Sequence, residues 1–192
     1  MKSLLIFLLL FNHCAIAKEF DTTPQAIKTI DIPKGYKSVS YNKKYKLAIP
    51  EDFKLKQHDF GIQFLVITSP DGKAAIILNE IPATNKMLLN SEEYGLKAYS
   101  RRQLLTAIFD TKYVSNNEVN ETRKIIFGNS SNVEVYTRDG FMFFRENRMD
   151  HPKTEASVRV SSPINDDVFT MDFLVGDEDL IMNVIKSLKV VN

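Results

Sequence analysis

Two apolar runs, Phe64-Leu65-Val66-Ile67 and Ile76-Ile77-Leu78, constrain this chain most, because consecutive apolar residues along a strand leave neither face suited to water. Between them stands Ser69-Pro70-Asp71-Gly72, in which proline presets the turn and glycine closes it. The pair reads as a hairpin inside a sheet that must be covered on both sides. Upstream, Tyr45, Leu47 and Ile49 alternate with lysines and alanine until Pro50 ends the run, which marks a strand with one wet face.

A cover for such a sheet is available in the middle of the chain. Residues 90–110 read NSEEYGLKAYSRRQLLTAIFD, with Asn90 or Ser91 as the cap and Glu92 and Glu93 in the first turn, where carboxylates meet the positive end of the helix dipole. Tyr94, Ala98, Arg101, Leu105 and Ile108 recur at helical spacing, so the helix lays one face on the sheet with Leu105 central to the contact. Further strands are expected at about 119–127, at 133–138, at Phe141-Met142-Phe143-Phe144 after the Asp139-Gly140 turn, at 157–161 and at 168–175. Asp177 then caps a second helix with an apolar stripe of Leu180, Ile181, Val184, Ile185 and Leu188. The expected fold class is α+β, an antiparallel sheet covered by helices on both faces in an α/β/α sandwich.

At the N-terminus, Lys2, an apolar run from Leu4 to Phe11 and Ala15-Ile16-Ala17 have the order of a secretory signal peptide, too short in its apolar core for a permanent membrane anchor. Cleavage after Ala17 is expected. Cys14 raises lipoprotein attachment as a rival, but bulky His13 precedes it where a small residue belongs. The organisation expected is therefore signal peptide 1–17, polar leader 18–40 and one domain 41–192, with no integral membrane segment after cleavage. Of 25 basic residues the signal removes one and of 24 acidic residues none, so the mature chain is balanced and nothing steers it toward nucleic acid. The single cysteine leaves with the signal, so the exported domain relies on a hydrophobic core instead of disulfides, which favours a bacterial periplasm.

The strand YKLAIPEDFKL after the leader, the Pro-Asp-Gly hairpin, the mid-chain helix, the four-strand run and the closing DLIMNVIKSLKVV resemble the PsbP and DcrB-like superfamily over about residues 41–191. That group includes the extrinsic PsbP protein of photosystem II, bacterial envelope proteins of the DcrB type and a eukaryotic Ran-binding import factor. The resemblance implies an α/β/α sandwich and non-catalytic binding or assembly roles, and it brings no catalytic motif.

Chemistry is sparse along the chain. His58 and His151 have no histidine or cysteine at ligand spacing, and neither a nucleophile elbow nor a phosphate loop occurs, so no catalytic, cofactor or metal residue is assigned. Two contact features remain. The loop bearing Arg145, Arg148 and His151 mixes both charges and suits a protein partner, against the plain alternative of a solvated loop. Phe141 and Phe143, with Leu105, suit an apolar pocket, against the alternative of core packing. The function expected is an exported, non-catalytic binding or assembly accessory protein with an envelope protein as partner. A carrier of a small apolar or lipid ligand is the alternative, and an unrecognised hydrolase comes third.

Overall fold

A computed structural model describes residues 23–59, 63–80, 105, 133–147, 155–164, 167–174 and 177–191. Eleven strands and one helix are delimited among them: β1 Gln25–Ala26, β2 Tyr36–Tyr41, β3 Tyr45–Pro50, β4 Lys54–Asp59, β5 Gln63–Thr68, β6 Ala75–Glu80, β7 Val133–Arg138, β8 Phe141–Asn147, β9 Ala156–Ser161, β10 Val168–Leu174, α1 Glu178–Ser187 and β11 Lys189–Val190. Eight strands form one sheet in the order β1-β7-β8-β9-β10-β6-β5-β4, and three form another, β11-β3-β2. The large sheet is mixed. β1 runs parallel to β7 at its edge, and the other neighbours are antiparallel.

The expected α/β/α sandwich is corrected by this arrangement, which among the described residues is mostly strand, with a second sheet and one delimited helix in place of helices on both faces. One face of the large sheet, carrying Leu65, Ile67, Ile76, Leu78, Phe143, Val158, Val160, Met171 and Phe173, shares a single core with the small sheet and α1. The cover on that face is largely the β2–β3 hairpin, whose Val39, Tyr41, Tyr45, Leu47 and Ile49 point inward and take the place assigned to a helix. Apolarity on both faces of β5 and β6 demands a cover on each, and on the face of Leu65, Ile67, Ile76 and Leu78 a second sheet satisfies that demand as well as a helix does.

The two layers are pinned by local chemistry. Phe169 on β10 packs against Tyr41 and Tyr45 with ring centroids 5.4 and 5.0 Å apart. The Tyr45 hydroxyl donates to Asp167 Oδ2 at 3.1 Å, and Lys44 Nζ reaches the same oxygen at 2.7 Å. Burial, followed by the nearby Asp167 charge, pushes the Tyr45 phenol up to about 12 despite a lowering bond from Ser162. α1 joins the edge of the small sheet laterally, where Ser187 Oγ accepts the Ala48 N–H at 2.8 Å.

The hairpin expected around Ser69-Pro70-Asp71-Gly72 joins β5 and β6, with Gly72 at φ +70° as the turn requires. Asp177 caps α1 through a 2.6 Å bond to the Leu180 N–H. β1 and all of β2 but its last residue, Tyr41, fall inside the segment 18–40 read as a leader. The expected strand at 119–127 and the helix over 90–110 lie outside the described residues, except that Leu105 is helical and fully buried. Among the described residues no helix is long and apolar enough to cross a membrane.

Truncating Leu105 removes a fully buried side chain, so Leu105→Ala is expected to cost about 2–5 kcal/mol in urea denaturation. A midpoint equal to wild type would contradict its place in the packing.

Candidate functional site

The β7–β8 hairpin organises the part of the surface with the most chemistry. Its turn, Asp139-Gly140, has both residues at positive φ, 48° and 79°, the conformation that matches the twist of a two-residue hairpin loop. Glycine is needed at the second position for space as well, since a Cβ there would stand 3.0 Å from Pro163 Cβ. The register opposes Tyr136 to Phe143, Arg138 to Phe141 and Glu134 to Arg145, and these six side chains share the face toward α1.

Both arginines are buried, and both are spent on α1. Arg145 forms two parallel 2.6 Å bonds to the Glu178 carboxylate, donates from Nε to Asn147 Oδ1 at 3.1 Å, and stands 3.7 Å from Glu134. Burial works against its charge, but the Glu178 bonds together with the charges of Glu178, Glu134 and Tyr136 outweigh it, and its pKa rises. The same bonds hold the Glu178 carboxyl below its ordinary value. Tyr136 donates to Glu134 at 2.9 Å, and burial, reinforced by that bond, pushes its phenol up to about 12.

At the other end of the helix, Arg138 donates to the carbonyls of Lys186 and Leu188. Its guanidinium lies 5.8 Å from the ring centres of both Phe141 and Phe143, and burial lowers its pKa. Arg138 Nε has no hydrogen-bond partner; Asp139 stands 3.7 Å away. The extended segment after β1 is tied to the same corner. Ile27 N–H donates to Thr137 O at 3.0 Å, Thr29 Oγ1 to the Asp139 carboxylate, and Ile30 N–H to Lys186 O at 3.2 Å.

Between that segment and the hairpin turn lies an open groove of about 700 Å³. Ile27, Phe141 and Met142 form its apolar part, and Lys28, Arg138 and Asp139 its charged part. Such a lining recognises a mixed polar and apolar surface; it encloses nothing. On the opposite face of the large sheet, Glu146 pairs with Arg159 at 3.4 Å and Ser157 bonds Asp172 at 2.6 Å. No group of three or more His, Cys, Asp or Glu gathers among the described residues in a way that could hold a metal ion.

Of the residues singled out in the sequence as partner contacts, Arg145 is the anchor of the α1 N-terminus, while Arg148 and His151 lie outside the described residues. Phe141 and Phe143 pack on one another at 5.7 Å inside the core, and Phe141 also borders the groove. Leu105 is buried but does not belong to the cluster that holds the two phenylalanines. Sequence reasoning missed Arg138 and Lys28. Arg138 shares its strand phase with Tyr136, and a charge on the inward phase of a strand signals a buried pairing. Compared with models of protein families and with curated proteins, the chain matches none.

The clamp at Glu178 has a pH signature. Its folded pKa is depressed, so its contribution is present above the unfolded value, about 4.3, and is lost as pH falls through the folded one. The stability difference between wild type and Glu178→Gln is expected to be largest near neutral pH and to shrink below about pH 4.3. A difference that stays constant from neutral to acid in urea titrations would contradict the pairing.

Proposed function

We propose that this chain is an exported, non-catalytic binding protein of a bacterial envelope, acting as an assembly or accessory factor on a protein partner. The observation that supports the reading is the open corner groove, which sets Lys28 and Asp139 beside Ile27, Phe141 and Met142 on a surface wide enough for another protein's side chains. The signal-like start supports a location for such a surface outside the cytoplasm. Arg145 and Arg138 serve this function indirectly: their charges hold α1 and the hairpin, and the groove's contact chemistry falls to Lys28, Met142 and the turn.

The test uses exposed groove residues whose replacement spares the fold. Ala26→Arg with Lys28→Glu fills the groove and inverts its cation, and is expected to abolish complementation of a deletion strain with an unchanged thermal midpoint. Lys73→Glu, in the exposed β5–β6 turn, is expected to complement fully. Full activity of the groove variant would contradict the proposal. Loss of activity from His58→Ala in a stably folded protein, with the groove variant active, would favour the hydrolase reading instead.

A further inference from the structure

A second surface is built where the small sheet ends beside β4. The two sheets have four edges among the described strands: β1, β4, β11 and β2. β1 and β11 are two residues long, and β4 carries the exposed Lys54 and Lys56, the usual devices that discourage strand addition. β2 has neither device. It runs six residues without proline, and Lys37, its one charged side chain, is turned onto the Phe53 carbonyl at 2.7 Å.

The direction of its free hydrogen-bonding groups follows from its partner. Ala48 lies opposite Ser38, and the Ala48 N–H points away from β2 to reach Ser187 Oγ. The Ser38–Ala48 pair is therefore of the non-hydrogen-bonded kind, so the N–H and C=O of Ser38 face outward, and two residues on so do those of Ser40. Both serines are exposed and small, which lets another backbone approach.

What lies beneath that edge is the second observation. β2 follows β4, with Lys37 reaching Phe53 at one end and Ser40 and Tyr41 sharing a small gap with Gln57 and Leu65 at the other. Between these points Leu55 occupies the sheet face that looks toward the small sheet, since it pairs with the buried Ile67, yet it is 44% exposed. The small sheet stops one strand short of covering it. Charge around the gap leans positive: Lys37 reaches into it and Lys43 and Lys46 are exposed on the hairpin, against Glu51 and Asp52, while Lys54 and Lys56 leave β4 on its other face.

We propose that the outer edge of β2 accepts an extended, acidic segment of another protein as an additional strand, with an apolar side chain of that segment seated on Leu55. Main-chain bonds from Ser38 and Ser40 supply the pairing, and the lysines supply the preference for acidic chains. A second copy of this chain is a poorer occupant, because it would bring the same lysines against themselves. The surface is separate from the corner groove, and no residue altered below lines that groove.

The probe is a fluorescent decapeptide of alternating valine and glutamate, with a valine–lysine decapeptide as control. Binding is expected for the acidic peptide alone, weakening as salt rises and falling about tenfold or more in Leu55→Glu, whose exposed site spares the fold. Amide hydrogen exchange at Ser38 and Ser40 is expected to slow on addition of the acidic peptide. Equal binding of both peptides, no binding of either, or unchanged exchange at those two amides would overturn the proposal. Protection that grows with protein concentration in the absence of peptide would overturn it in favour of self-association. Any of these leaves the groove reading to its own complementation test.

Discussion

Two carbonyls at the end of α1, those of Lys186 and Leu188, both accept from one buried guanidinium, Arg138, while Arg145 from the same hairpin grips Glu178 at the other end of the helix. A helix leaves its last carbonyls without partners and presents a negative end there, so a buried cation satisfies groups that would otherwise be desolvated and unpaired. Lys186 O also accepts the Ile30 N–H, so the segment between β1 and β2 is fastened to the same point. One hairpin thus positions the helix, the strap and the groove between them.

Magnitudes separate what attaches α1 from what aligns it. Leu180, Ile181, Val184, Ile185 and Leu188 are buried, and each contributes about 1.5–3 kcal/mol, whereas a hydrogen bond to a charged group is worth about 1.5–3 kcal/mol before the cost of burying the charge. The apolar stripe therefore supplies most of the adhesion. Buried ionic groups are weak evidence for net stability but are costly to leave unpaired, so they select one orientation of the helix from those the stripe would tolerate. The wall of the groove depends on that selection.

Much of the architecture was legible in the sequence where its cause is local. Strand alternation, the Pro-Asp-Gly and Asp-Gly turns and the Asp177 cap each act over a few residues, and each sits where the pattern placed it. The second sheet was not legible, because Tyr36-Lys37-Ser38-Val39-Ser40 is half polar and reads as the end of a leader until Val39 is seen buried in the core and Tyr41, next to it, packed on Phe169 of β10. Nor does two-sided apolarity say whether sheet or helix provides the cover. At the site, Arg145 stood out as a charge after an aromatic strand, but its partner Glu178 lies 33 residues away and only the fold brings them together.

Arg138 aligns the end of α1 and the strap without supplying most of their adhesion. Native-state hydrogen exchange on Arg138→Met tests this directly. The amides of Ile27, Ile30 and Leu188 are expected to lose protection selectively, while those of β8, β9 and β10 keep theirs. Unchanged protection at Ile27 and Ile30, or an equal loss across the whole large sheet, would contradict that role for Arg138.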